Sequence, residues 1–255
     1  PVTLSSADLE EMIAASQKAH RLFTVHQNRR WDGEFLVMRD LYRSGELGDM
    51  FAMESRVQGS HGIPGDWRKE KAHGGGMMLD WGVHLLDRLL MMIPGKITSV
   101  YCKCSHVTCE ECDDGFRAWL NFENGITAHV LVSTCNFIDT PHWYMAGKSG
   151  TAIVEDFNAN GRIVRVTNWD EGNVKPIQAG EGLTKTMAPR DGGSTEELAL
   201  PQVVVDRNAL YVNLVDTILG TAEQLVKPEE ALRCLRLMEK LFESDEKNAV
   251  LFFEQ

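Results

Sequence analysis

The sequence has no apolar run near the roughly 20 residues that a membrane-spanning helix needs. Its first residues, PVTLSSADLEE, contain neither a basic segment nor an apolar core, so no secretory signal peptide is visible. Lys and Arg are scattered, and the formal net charge of −11 opposes binding to a nucleic-acid backbone. We therefore expect no membrane and no nucleic-acid partner, and we predict a cytoplasmic protein.

The 255 residues are 43% hydrophobic and 25% charged, which is ordinary for a globular protein with a sizeable core. Six cysteines without a secretory signal favour reduced thiols over a disulfide framework. The sequence begins with Pro1 rather than Met, which we interpret as a piece of a longer polypeptide or a processed product.

Near the start, Ser5 or Ser6 has the character of a helix N-cap, and the apolar spacing predicts a helix to about His20. Residues 22–26 (LFTVH) then read as a short buried strand, which makes an αβ half-unit of a parallel sheet. Residues 50–58 alternate as a strand, and Asn124-Gly125 predicts a type I′ hairpin turn.

The pattern as a whole predicts an α+β fold, with an α/β remnant followed by a mostly antiparallel sheet. The further predicted strands are residues 97–107, 115–123, 126–134, 143–146, 151–156 and 163–167. The further predicted helices are residues 35–43, 77–92, 206–219 and 228–247. Residues 175–201 are polar and Gly-rich and predict an extended excursion.

Residues 74–87, GGGMMLDWGVHLLD, are the best candidate for a chemical centre. Asp80 and His84 fall one helical turn apart on one face, where a carboxylate can orient an imidazole and stabilise its protonated form. The three preceding glycines would let a ligand approach the backbone at the start of the helix. The alternative is a surface ion pair behind a flexible loop.

This segment resembles the motif of the glucose–fructose oxidoreductase/inositol dehydrogenase/rhizopine-catabolism (Gfo/Idh/MocA) family. The resemblance is carried here by Gly74, Gly75, Asp80, Gly82, Val83 and His84. Further similar positions are Pro1, the segment QNRRW from Gln27 to Trp31, Asp66-Trp67-Arg68, Asp113-Asp114 and the sequence FENG. The resemblance covers nearly the whole chain.

The resemblance implies an NAD(P)-dependent dehydrogenase that acts on a hydroxyl of a sugar, polyol or related carbohydrate. It implies catalytic roles for His84 and Asp80, substrate contacts for Trp67, Arg68, Gly75 and Gly76, and cofactor contacts for Gln27, Asn28 and Arg30. An imidazole with an ordinary pKa near ~6.5 suits proton transfer around neutrality. His61 and His142 are weaker candidates, and each loop residue could instead be a plain surface or packing residue.

The sequence also departs from the family. It contains no G-x-G-x-x-G near its start, and the Lys that precedes Pro in the family's Glu-Lys-Pro motif would lie before Pro1. We therefore expect residues 1–30 to be the end of a Rossmann dinucleotide-binding domain and residues 31–255 to be the substrate and oligomerisation domain. We also expect this chain alone neither to bind NAD or NADP tightly nor to turn over.

Two other classes of function stay open. Cys102, Cys104, Cys109 and Cys112 have the spacing C-x-C-x4-C-x2-C, which can form a zinc site, although buried thiols are the simpler interpretation and we predict no metal. Residues 126–133 alternate with one apolar face, and the family's sheet has one open face that mediates assembly. The chain could thus be a non-catalytic partner subunit, and we predict a homo-oligomer.

Overall fold

The computed structural model describes residues 1–169, 177–185, 190 and 193–253. The helices among them are α1 (Ser6–Lys18), α2 (Gly33–Ser44), α3 (Val83–Met92), α4 (Ala209–Ile218) and α5 (Pro228–Lys247). The strands are β1 (Met50–Gln58), β2 (Ile97–Ser105), β3 (Gly115–Phe122), β4 (Thr127–Ser133), β5 (Trp143–Gly147), β6 (Gly150–Val154), β7 (Gly161–Val166), β8 (Ile177–Gly180), β9 (Leu183–Lys185), β10 (Thr195–Ala199) and β11 (Leu251–Phe252).

Nine of these strands form one sheet in the order β10-β7-β6-β5-β1-β4-β3-β2-β11. Only β1 and β4 run parallel within it, and the other neighbours are antiparallel. In β1, Met53 and Val57 are buried while Glu54 and Arg56 point to the opposite, more exposed face. The α+β prediction, with a large and mostly antiparallel sheet, is confirmed.

The helices α3 and α5 pack against each other and cover the buried face of the sheet. Leu85, Leu86 and Leu89 of α3 are fully buried in this layer, so the helix that carries His84 is fixed by the core. No helix in the described part of the chain is both long enough and apolar enough to cross a bilayer.

The predicted strand at residues 22–26 is wrong. The segment is extended, but no described strand lies beside it to complete a hydrogen-bonded ladder. Side chains instead satisfy part of its backbone and its polar groups: Gln224 donates to the Phe23 carbonyl, and Thr24 donates to the Val226 carbonyl. The N-cap at Ser5 is confirmed, because its hydroxyl accepts the backbone N–H of Asp8.

The hairpin between β3 and β4 is confirmed, but its predicted type I′ turn is wrong. Gly125 has a φ of 87°, whereas Asn124 is not among the residues with positive φ. The Gly125 N–H donates to the Phe122 carbonyl, and the Phe122 N–H donates to Ile126. This is a three-residue loop with glycine at its one left-handed position.

The predicted excursion at residues 175–201 lies partly outside the described residues, at 175–176, 186–189 and 191–192. Within the described part, β8 and β9 form a separate two-stranded hairpin and β10 adds an edge strand to the large sheet. The alternation pattern did not indicate these short strands, nor β11.

Candidate functional site

The triple glycine begins the segment that carries the candidate site. Gly76 has a φ of 107°, and a Cβ there would lie 2.2 Å from Oδ1 of Asp113. The other oxygen of that carboxylate accepts the Met78 N–H at 2.8 Å and so caps the start of the helical segment. Burial raises the pKa of the Asp113 carboxyl to about 6 despite this hydrogen bond.

Protein atoms therefore fill the space that these glycines were expected to open to a ligand. A Cβ on Gly75 would lie 2.5 Å from the Arg68 carbonyl oxygen, and both Gly75 and Gly76 are buried. Neither residue lines a cleft, whereas Gly74 does. Close packing against Arg68 and Asp113 thus explains why positions 75 and 76, which were predicted to contact substrate, hold glycine.

Between the glycines and α3, residues Met78–Gly82 form one turn of π-helix. Because this turn is wider than an α-helical turn, the expected one-turn pairing of Asp80 with His84 is lost. Asp80 instead accepts a hydrogen bond from Nε of Arg68 at 2.8 Å. The expectation that Asp80 orients the imidazole is therefore wrong.

Gln27 holds the imidazole instead: its Oε1 lies 3.2 Å from Nδ1 of His84. Burial lowers the pKa of His84 to about 3, and the positive charges of Arg88 and Arg29 add to the effect. This pKa lies below the ordinary value near ~6.5 that the sequence suggested, because a half-buried imidazole near two guanidinium groups resists protonation. Gln27 was predicted to touch the cofactor, yet it is buried against this ring.

His84 and Asp80 meet in a cleft of about 670 Å³. Its polar lining is His26, Gln27, His73, Asp80, His84 and the indole of Trp67. Leu79, Val83 and Leu235 supply apolar walls. A cleft of this size with a few convergent polar groups is typical of a small-molecule site.

Of the two residues Trp67 and Arg68, which were both predicted to contact substrate, only Trp67 lines the cleft. Trp67 lines the cleft and is 43% exposed, and the Arg68 guanidinium lies 4.6 Å from the centre of its ring. Arg68 itself does not line the cleft but pairs with Asp66 and Asp80, both at 2.8 Å. It fixes the Asp80 carboxylate beside the Trp67 face.

Arg30 cannot contact a cofactor. Its guanidinium is 3% exposed, makes a two-pronged ion pair with Asp87 at 2.6 and 2.7 Å, and pairs with Glu230 at 2.7 Å. All its donors face protein, so the predicted cofactor role is wrong. Asn28, in contrast, is accessible to a ligand, because it lines a second cleft.

The second cleft, of about 950 Å³, adjoins the first at His26, which lines both. Trp81 lines the second cleft, and its ring lies 6.5 Å from the His84 ring and 6.2 Å from that of Phe157. Sequence analysis missed His26 and Tyr211, whose side chains meet at 3.1 Å. They are 185 positions apart, so no local pattern could pair them, whereas Trp81 stands inside the motif.

His142 and His61 line neither of the two clefts. Nδ1 of His142 lies 3.0 Å from a Glu34 carboxylate oxygen, and Glu34 also accepts from the buried guanidinium of Arg88 at 2.9 Å. Glu34 and Arg88 are buried, and the His142 ring lies 4.3 Å from that of Phe157, which lines the second cleft. His61 is exposed and contacts only the Ser60 hydroxyl among the described residues.

All six cysteines are free thiols. The backbone N–H of Cys112 approaches Sγ of Cys109 at 3.4 Å, and Cys102 is buried in the sheet layer. In the described part of the chain, no three His, Cys, Asp or Glu side chains are grouped to hold a metal ion.

Two of the backbone N–H groups at the start of α1 are already bonded to side chains. A pyrophosphate needs exposed N–H groups, as at a helix N-terminus. At the start of α1, the Ser6 N–H is taken by Glu239 at 2.6 Å and the Asp8 N–H by Ser5 at 3.1 Å.

A family model described as the GFO/IDH/MocA C-terminal domain matches residues 35–153. A solved structure of an NAD-binding protein from Listeria innocua is 45% identical, with a TM-score of 0.94, covering 99% of this chain and 73% of that one. An uncharacterized oxidoreductase of Schizosaccharomyces pombe is 28% identical over 53% of this chain and 39% of that protein. The scyllo-inositol 2-dehydrogenase (NADP(+)) IolW of Bacillus subtilis is 22% identical over 100% of this chain and 71% of that protein.

Proposed function

Since the chain belongs to the Gfo/Idh/MocA family of oxidoreductases, we propose that it handles the hydroxyl proton in NAD(P)-dependent oxidation of a sugar, polyol or related carbohydrate. The observation that carries this proposal is His84, a neutral imidazole held by Gln27 in a cleft beside the Asp80 carboxylate. An oriented imidazole within reach of a bound hydroxyl is the arrangement that general base catalysis requires.

The hydrogen bond to Gln27 fixes the tautomer. Oε1 of Gln27 only accepts, so Nδ1 of His84 carries the hydrogen and Nε2 keeps its lone pair. A substrate hydroxyl donates to Nε2 and passes its proton there as the C–H bond breaks. Bound NAD(P)+ supplies the acceptor for the two electrons and the hydrogen of that C–H bond.

The lowered pKa of His84 keeps the imidazole neutral and able to accept a proton, and it also makes this imidazole a weaker base than an ordinary histidine. An imidazole whose pKa is lowered to about 3 holds a proton only briefly, so the proton passes on to water in the open cleft. We therefore expect no loss of base function between pH 8 and 5, where an ordinary histidine would become protonated.

Asp80 and Trp67 bind the substrate. Arg68 occupies Oδ2 of Asp80 and leaves Oδ1 to accept from a second hydroxyl of the ligand. The exposed Trp67 ring offers an apolar face to the C–H side of a sugar ring. A vicinal diol of a sugar or cyclic polyol fits this pair of acceptors, and the name of IolW favours a polyol.

The decisive experiment measures NAD(P)+ reduction by a polypeptide in which these residues are joined to a dinucleotide-binding domain, with a panel of sugars and polyols. General base catalysis is worth about 100-fold or more, so His84→Asn should lower kcat by at least that factor. His61→Asn, an exposed histidine outside both clefts, is the matched control. Unchanged kcat in His84→Asn would refute the role of this residue.

We further propose that residues 1–30 belong with a dinucleotide-binding domain and that the 255 residues alone neither bind NAD(P)+ tightly nor turn over. The occupied N-terminus of α1 supports this proposal. Calorimetry with NAD+ and NADP+ tests it, and micromolar binding by the isolated chain would contradict it. The free thiols are compatible with a cytoplasmic location, which we also propose.

A second copy of the chain is the partner that we propose for the exposed face of the sheet. There Trp119 stacks on His129 with ring centres 4.6 Å apart, and Tyr101 lies 5.7 Å from Trp119. Nε2 of His129 is buried without a hydrogen-bond partner in the described part of the chain. Light scattering should show a dimer or larger species that the variant Trp119→Glu dissociates. A monomeric parent protein would contradict this proposal, and it would also contradict the alternative that the chain is a non-catalytic partner subunit.

A further inference from the structure

The second cleft differs in charge from the rest of the molecule. The chain carries a net charge of −11, yet the charged side chains that line this cleft are Arg29, Arg207 and Asp32. Asp32 pairs with Arg29, so Arg207 is the charged residue of this lining that has no carboxylate partner within the described residues, and the lining keeps one net positive charge. A positively charged cleft in a protein of negative net charge attracts an anionic ligand.

Arg29 is held in place for such a ligand. Its Nη1 pairs with Asp32 at 3.3 Å, and its guanidinium carbon lies 4.8 Å from the centre of the Trp81 ring. These contacts use one edge and one face of the guanidinium. The remaining N–H groups make no hydrogen bond within the described residues.

Further polar side chains face the cleft without a partner. The Arg207 guanidinium and the side-chain amide of Asn28 line it and bond to no residue that the structure describes. Beside them stand exposed rings: Phe157 is 51% and Tyr211 is 54% exposed. Spare donors beside bare aromatic faces suit a carbohydrate, whose hydroxyls bond while its C–H faces stack.

The two clefts share His26 in their lining, and the Trp81 ring of the second cleft lies 6.5 Å from the His84 ring of the first, so the clefts are adjacent. We propose that the substrate is an anionic carbohydrate, with its reacting hydroxyl at His84 and a carboxylate or phosphate group in the second cleft at Arg29 and Arg207. This inference rests on the proposed function, because it assigns a chemical class to the substrate of the same site.

Calorimetry on the 255-residue chain with three probes that share one ring tests the inference: glucose, glucuronate and glucose 6-phosphate. A charge-assisted contact should make at least one anion bind tenfold or more tightly than glucose. That advantage should shrink in high salt, because the cleft is open to solvent. A preference for glucuronate or for glucose 6-phosphate identifies the anionic group as carboxylate or phosphate.

The variant Arg207→Gln should abolish most of the advantage of the anion while leaving the affinity for glucose unchanged. The matched control is Arg43→Gln, which removes the same charge from an exposed position at the end of α2. Equal affinity for all three probes would overturn the inference and leave the proposed function standing. Failure of all three to bind at millimolar concentration would also overturn the inference, whereas the proposed function is tested separately by the kcat of His84→Asn in the polypeptide joined to a dinucleotide-binding domain.

Discussion

Replacing Gly76 with alanine should be among the most destabilising single-methyl additions in this protein. A positive φ of 107° costs a residue with a Cβ roughly 1–3 kcal/mol. The new Cβ would also lie 2.2 Å from Oδ1 of Asp113 and displace the carboxylate that caps the Met78 N–H. Losing a hydrogen bond to a charged group costs about 1.5–3 kcal/mol.

Together these effects predict that Gly76→Ala lowers the free energy of unfolding by about 2.5–6 kcal/mol, a large part of the ~5–15 kcal/mol typical of a domain. Urea unfolding followed by tryptophan fluorescence measures the change. The control is Gly65→Ala, where a Cβ would meet no atom within 4 Å, and where we expect a change within about 0.5 kcal/mol.

A double-mutant cycle isolates the contact with Asp113. In an Asp113→Ala background the carboxylate is gone, so Gly76→Ala should cost only the backbone strain of about 1–3 kcal/mol. A cost below 1 kcal/mol in the parent, or the same cost in both backgrounds, would refute the reasoning.

Three further predictions concern neighbouring groups. As the pH falls, His84 (pKa about 3 in the fold, ~6.5 unfolded) destabilises the fold and Asp113 (about 6 in the fold, ~3.9 unfolded) stabilises it, each by ~1.4 kcal/mol per pH unit. They cancel between about pH 4 and 6, so Asp113→Asn should reveal a steep loss of stability toward acid in pH-dependent urea unfolding, and an unchanged slope would disprove it. Gln27→Leu should leave the His84 tautomer unfixed and lower kcat about tenfold or more, with imidazole nitrogen NMR showing both tautomers, and one sharp tautomer would count against it. Asp87→Ala leaves Arg30 buried without its main partner and should cost ~3–5 kcal/mol in thermal or urea unfolding, against which a loss under 1 kcal/mol would argue.

Periodicity predicted the elements whose pattern is local. The spacing of apolar residues placed β1 at Met50–Gln58 and α5 at Pro228–Lys247 with the bounds that the structure has. The same rule failed at Asp80, because residues Met78–Gly82 form a π turn, which the spacing of apolar residues does not indicate. The segment at residues 22–26 failed for another reason, since a strand exists only beside a neighbour.

The candidate site shows the same division. The motif brought His84 and Asp80 into one cleft, as the sequence indicated. It did not reveal that Gln27, 57 positions away, orients the imidazole, or that burial moves its pKa out of the neutral range. Nor could the motif show that Arg30 forms an ion pair with Asp87, because the local spacing of residues does not indicate ion pairs between distant positions.

The central position of β1 has a consequence for biosynthesis. Its two neighbours, β4 and β5, follow later in the chain, and β5 ends about 90 residues after β1 does. At translation rates of about 5–20 residues per second, both edges of β1 stay unpaired for roughly 5–20 seconds during synthesis. The strand at the middle of the finished sheet is thus, on the ribosome, the segment most exposed to pairing with the wrong chain.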